Sequence, residues 1–260
     1  MMIRPALLGF FIFIGTACAV STGQIIESTS MAFAQLIYLI PAVIIATGLR
    51  GAFIARKVIV LGDHYGQKTP TWNPIQYLDP MGSLAGIFFF FGWPRTADFD
   101  RRLFHNPLRD EVRLYLSASG FNLLFALLSL IAMLLLPHAR GFLPDFALSN
   151  IEWVLQMMAL VNLMVGIYSF LPLFPLPGYD LLFRFLSPYN RIKLDQKRSI
   201  TMLVLMLLLF IGRPILVAPV ESLFQVLVSM RLITLGVLSL LLAHWLFLIQ
   251  LRKTKKDKKS

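Results

Sequence analysis

Residues 111–137, EVRLYLSASGFNLLFALLSLIAMLLLP, form a long apolar stretch in which no charged residue follows Arg113. A transmembrane helix needs ~20 mostly apolar residues to cross the hydrocarbon of a bilayer. The backbone of such a segment must satisfy its own hydrogen bonds, because lipid offers no partners. This stretch therefore predicts a helix that spans a membrane.

Apolar runs recur on both sides of this stretch. The chain is 57% hydrophobic and 14% charged, whereas soluble domains carry ~25% charged residues. The run at 80–93 is too short to cross, so we expect it to be re-entrant or buried. We predict an all-α membrane protein with about six transmembrane helices plus a re-entrant segment; the predicted spans are 5–22, 32–49, 111–137, 150–172, 199–218 and 225–250. Residues 5–22 also resemble a secretory signal peptide, because ACA at 17–19 looks like a cleavage site, and both interpretations stay open.

The net charge of +11 has a topological explanation. Four regions hold 21 of the 24 Lys and Arg, and only Arg140, Arg213 and Arg231 fall elsewhere; these regions are the N-terminus, 50–113, 184–198 and the tail. Because basic residues favour the cytoplasmic side, we expect these four regions, and thus both termini, to be cytoplasmic. The basic tail is also suited to anionic lipid. The charge is not accompanied by an aromatic-plus-basic module, so we predict no nucleic-acid partner.

Short motifs recur in order along the first two thirds of the chain. They begin with PAVIIATGL at 41–49 and Gly62–Asp63. They continue with WNPIQYLDPMG at 72–82, FGW at 91–93 and HNP at 105–107, and then with SASGFN at 117–122 and LPLFPLPG at 171–178. In this order and spacing they resemble the short bacterial branch of the site-2 proteases, zinc enzymes that cut within transmembrane helices. The resemblance runs from about residue 35 to 185 and implies a site-2-protease-like core in a bacterial inner membrane.

The zinc-binding residues of that family do not recur here. The resemblance places the two His of the HExxH motif at Arg50 and Ile54, the catalytic Glu at Gly51 and the Asp ligand at Pro177. None of these side chains donates to a metal, and Arg50 would put a fixed positive charge where a dication binds. We therefore expect no catalytic residues and no cofactor, with zinc bound only if the site has been rebuilt.

A rebuilt site has few candidate ligands. Asp63, His64 and Asp180 are the alternative that we consider, although ligand geometry is strictly constrained. Arg50 is otherwise expected to pair with Asp180 or Asp63, since a lone charge in a span is costly.

Other polar residues and glycines are candidates for a binding cleft, namely Asn73, Asp79, Asn122, Gly178 and Asp180. Asp79 precedes Pro80 and is suited to capping the following helix. Asn122 has two interpretations: contact with a peptide backbone in a cleft, or a hydrogen bond between helices.

These features predict four regions. They are an N-terminal helix or signal peptide with an outer loop at 1–34, the core at 35–185, two C-terminal spans at 186–250 and a basic cytoplasmic tail at 251–260. The leading hypothesis is a catalytically inactive homologue of an intramembrane metalloprotease that binds a membrane helix or serves as a subunit of a membrane complex. The alternatives are an active zinc endopeptidase with relocated ligands and a small transporter or channel, whose marks would be matched broken helices.

Overall fold

The computed structural model describes residues 36–64, 70–95, 99–139 and 141–229. These residues fold almost entirely into helices: α1 Leu36–Val60, α2 Pro80–Phe89, α3 Pro107–Leu135, α4 Asp145–Tyr168, α5 Pro177–Phe185, α6 Pro188–Gln196, α7 Arg198–Ile211 and α8 Arg213–Ser229. Short 3₁₀ turns lie at Pro74–Tyr77, Arg101–Leu103 and Leu136–Ala139. The predicted all-α membrane class is confirmed.

Three helices are long and apolar enough to cross a membrane. They are Leu36–Val60, Pro107–Ala139 and Asp145–Tyr168, and α7 with α8 adds a fourth if that bent pair is one span. They correspond to the predicted spans at 32–49, 111–137 and 150–172. The predicted span at 5–22 and most of the one at 225–250 lie outside the described residues, so the count of six stays a prediction.

The α7–α8 pair corrects one predicted boundary. We expected Pro214 and Pro219 to separate the last two spans, but α8 runs from Arg213 to Ser229 with Pro219 inside it. The chain bends by 57° between Ile211 and Ile215, next to Pro214, so of the two prolines only Pro219 fails to mark a break. Pro219 removes one backbone donor, and in a membrane helix the loss of one hydrogen bond is tolerated without ending the helix.

Residues 80–93 form a short helix followed by an extended stretch that runs back to the start of the helix. Asp79 caps α2 as predicted: its Oδ1 accepts hydrogen bonds from Gly82 N at 2.7 Å and Trp93 Nε1 at 3.1 Å. Phe90 ends the helix in the left-handed conformation, and the chain runs back until Pro94 pairs with Leu78. Both ends of the segment therefore lie side by side, as expected of a re-entrant segment.

Helix α1 changes its winding where the other core elements meet it. Residues Ile44–Leu49 form a π-helical turn, and α-helix resumes at Arg50. Single π-helical turns within α-helices often mark functional sites. This turn packs against α4 and the 3₁₀ turn Pro74–Tyr77, while the Arg50–Val60 part of α1 packs against α3. Helices α3 and α4 form the most extensive pair in the described structure, so α1, α3 and α4 together enclose Arg50.

Candidate functional site: a buried arginine at the centre of three helices

Arg50 lies at the centre of this three-helix core. It directly follows the π-helical turn of α1 and is only 1% exposed. Its Nη1 donates a hydrogen bond of 2.8 Å to Asn122 Oδ1 on α3. The largest fully buried side chain in the described structure is therefore a cation.

Asn122 extends this contact to the third helix. Its Nδ2 donates to Ala46 O on α1 at 2.9 Å and to Asn162 Oδ1 on α4 at 3.0 Å. Asn162 Nδ2 in turn donates to Met158 O at 2.8 Å. Of the two interpretations of Asn122, the hydrogen bond between helices is therefore confirmed.

The expected partners of Arg50 were wrong. Asp180 contacts Arg101 and Tyr115 instead, and Asp63 accepts a hydrogen bond of 2.7 Å from the backbone N of Asp100. Arg50 instead donates to Asn122, so its hydrogen bond in the described structure is to a neutral amide. Its Nε and Nη2 are buried and have no hydrogen-bond partner among the described residues.

The position that the resemblance gives to the catalytic Glu has no room for a side chain. A Cβ on Gly51 would lie 2.5 Å from Tyr77 Cβ and 3.2 Å from Pro94 Cβ. Contacts below 3.0 Å are not seen for real Cβ atoms, so even Ala requires Tyr77 to shift. The close approach of Tyr77 to α1 therefore depends on glycine.

The two remaining ligand positions, Ile54 and Pro177, have hydrocarbon side chains without a donor atom for a metal. Ile54 is buried in an apolar cluster with Leu114, Tyr115 and Ala118. Pro177 begins α5, a place that suits proline because the first helical position needs no backbone donor. Since zinc requires N, O or S donors, the residues at these positions do not fit the metal.

The alternative ligand set is not assembled either. Asp63 and Asp180 contact the two successive residues Asp100 and Arg101, whereas His64 is exposed. No group of three His, Cys, Asp or Glu suited to a metal occurs in the described ranges. Asp63, His64 and Asp180 therefore do not form a common site in the structure.

Asp180 belongs instead to an ion-pair network with a buried carboxylate at its centre. Glu111 has a fully buried side chain and lies 3.2 Å from Arg101 Nε and 2.8 Å from Arg184 Nε. Arg101 also reaches Asp180 at 3.2 Å, and Tyr115 donates to Asp180 at 2.9 Å. Burial alone would lower the pKa of Arg101, but Asp180, Tyr115 and Glu111 together raise it above its ordinary value. The network fastens α5 and the 99–103 segment to α3.

The other cleft candidates lie in separate local contacts. Asn73 caps the turn Pro74–Tyr77 by accepting from Ile75 N at 3.1 Å, and Asp79 caps α2. Gly178 donates its N–H to Ser169 O at 3.0 Å, at the tight turn between α4 and α5. In the structure each of these residues has a local bonding role, and their part in a binding cleft stays a prediction.

Two buried polar residues, Asn162 and Glu111, were not identified from the sequence, although each interrupts or borders an apolar run. Asn162 is a polar residue within an apolar run, and Glu111 is an acid at the start of another. Polar groups at such positions are costly and are expected to face partners inside the protein. That rule identifies Asn162 and Glu111 as buried, but it does not name the residues that they contact.

Comparison with known proteins supports the resemblance. No protein-family model matches the chain, and no solved structure is significantly similar to it. The chain is 31% identical over 163 residues to a Bacillus subtilis (strain 168) protein described as "Putative zinc metalloprotease YwhC". The matched region covers 62% of this chain and 73% of that relative. Together with the helical membrane fold, this similarity shows that the chain belongs to the same site-2-protease-like metalloprotease family as that relative.

Proposed function

We propose that this protein is a non-catalytic member of its family that binds a membrane helix, alone or as a subunit of a membrane complex. The observation that carries the proposal is Arg50, a buried guanidinium at a position that the resemblance assigns to a zinc ligand. Zinc in a hydrolase needs three protein ligands and an open position for water. A guanidinium stays protonated at neutral pH, so it repels a dication from its surroundings.

The surroundings of Arg50 support the same proposal. A base beside the metal would need a side chain at 51, where Tyr77 leaves no space for a Cβ. The helices of the core are nevertheless joined through Asn122 and Asn162. A scaffold that keeps its shape after losing its chemistry is suited to holding a helix rather than cutting it.

An active zinc endopeptidase is the second candidate, because the relative is described as a zinc metalloprotease. In this chain it requires relocated ligands, with Asp180 as the acid nearest to the position of the lost Asp.

Zinc content separates the two candidates. We expect the protein purified in detergent to hold less than about 0.1 zinc per chain, because ligand number and geometry limit metal binding. Elemental analysis measures the zinc content of the wild type and of Asp180→Ala. A proteolysis assay on a transmembrane substrate, with and without chelator, measures activity. One zinc per chain that is lost in Asp180→Ala, together with cleavage that the chelator stops, would falsify the proposal.

The membrane topology has its own test. We infer that the protein lies in the bacterial inner membrane with both ends cytoplasmic, from the distribution of basic residues. A reporter active only in the cytoplasm is expected to be active when fused after Ser260, and a reporter active only in the periplasm to be silent there. The reverse pattern would refute the orientation.

A further inference from the structure

Arg50 has an unused hydrogen-bonding edge. Its Nη1 is taken by Asn122, while Nε and Nη2 are buried without a hydrogen-bond partner in the described part of the chain. A buried donor left unpaired is costly, and more so when the group is charged. Two such donors on one enclosed cation indicate that another molecule supplies the hydrogen-bond acceptor.

The two free nitrogens define the shape of that group. A guanidinium is planar, and its Nε–H and Nη2–H point in the same direction along one edge. That edge forms a two-pronged donor that matches the two oxygens of a carboxylate. A carbonyl or a water can accept from the edge but brings no compensating charge.

The acidic side chains of α3 and α5 are already engaged. Glu111 is paired with Arg101 and Arg184, Asp180 with Arg101, and Asp110 with Arg113. No ion pair of Arg50 occurs among residues 36–64, 70–95, 99–139 and 141–229. Because an ionised group inside a membrane protein is expensive unless paired, the positive charge of Arg50 calls for a negative one.

We propose that the free edge of Arg50 receives the carboxylate of a Glu or Asp carried by a transmembrane helix of a partner protein. This inference rests on the proposed helix-binding function and makes it specific, since the partner helix must have an acidic residue at the depth of Arg50. The carboxylate accepts from Nε–H and Nη2–H together, while Asn122 keeps Nη1. The pair neutralises both charges. Because Arg50 is only 1% exposed, the helices around it must part to admit the partner's carboxylate.

Model peptides test this pairing. Leucine-rich transmembrane peptides carry a single Glu at the centre or one helical turn from it, and matched peptides carry Gln at the same places. Each dye-labelled peptide is titrated with the full-length protein in neutral phosphatidylcholine vesicles, with energy transfer from the protein's tryptophans as the readout. We expect one Glu peptide to bind about tenfold more tightly than its Gln match, which corresponds to about 1.4 kcal/mol.

Variants of the protein supply the controls. Arg50→Met removes the charge and should abolish the preference, and Arg50→Lys keeps the charge without the two-pronged edge and should lose most of it. Arg102→Met is the matched control, because its side chain is 93% exposed, and it should keep the wild-type preference. The melting temperature of each variant shows whether it is folded, and Arg50→Lys decides the matter if Arg50→Met does not fold.

The outcomes separate this inference from the function on which it rests. Equal binding of Glu and Gln peptides would overturn the carboxylate and leave helix binding standing. Absence of binding by every peptide would overturn both. Free acetate could instead raise the melting temperature of the wild type but not of Arg50→Lys, while the Glu peptide binds no more tightly than its Gln match. That result would make the ligand a soluble carboxylate and would reject the partner helix.

Discussion

Glu111→Gln is expected to destabilise the protein by about 3 kcal/mol, because it removes the negative partner of two arginines inside a buried network. The side chain of Glu111 is fully buried between Arg101 and Arg184. Gln has nearly the same shape, so the change leaves no cavity. Its single amide oxygen can serve one arginine, while its amide N–H groups face the other. Reversible unfolding in mixed detergent micelles with increasing dodecyl sulfate, followed by tryptophan fluorescence, measures the loss.

Two further variants show whether the loss comes from the buried charges. Glu152→Gln is the matched control, because Glu152 is exposed on α4, and it should change the free energy of unfolding by no more than about 0.5 kcal/mol. In the double variant Glu111→Gln with Arg184→Gln, the two losses should not add, since each change already removes the contact between these side chains. Additive losses would show that Glu111 and Arg184 act independently.

The parts of the fold that were predicted correctly depend on local signals. The length of an apolar run identifies a span, and a run such as 80–93 that is too short indicates a segment that turns back. Asp79 was identified as a cap because an acid before a proline at a helix start accepts hydrogen bonds from the following backbone. None of these inferences needs to know which helices are neighbours.

The partner of Arg50 could not be predicted because it depends on that neighbourhood. Sequence spacing placed Arg50 near Asp180 and Asp63, on the principle that a buried charge seeks an opposite charge. In the structure, Asn122 lies closer, and Arg101 and Tyr115 already hold Asp180. Nor did the sequence indicate that Tyr77 fills the space beside Gly51, because that contact joins α1 to a 3₁₀ turn more than twenty residues away.

Gly178→Ala is expected to be the most damaging single-methyl change in the described structure. A Cβ at this position would lie 2.1 Å from Phe170 O and 2.4 Å from Leu171 O. Both are backbone atoms of the turn between α4 and α5, so no flexible side chain can move aside. The clash also pushes apart Gly178 N and Ser169 O, now hydrogen-bonded at 3.0 Å.

The consequence of this clash should spread to the ion-pair network, because Asp180 and Arg184 are carried on the same short helix as Gly178. We expect Gly178→Ala to lose about 3 kcal/mol or more of unfolding free energy, within the range of overpacked cores, and to yield little monodisperse protein. Gly120→Ala is the matched control: no atom outside its own helix lies within 4 Å of its Cβ position. Since Ala forms helix better than Gly, that variant should be neutral or more stable by up to about 1 kcal/mol. Equal stabilities of the two variants in dodecyl sulfate unfolding would mean that the α4–α5 turn can yield, and that the close approach at Gly178 does not hold α5 in place.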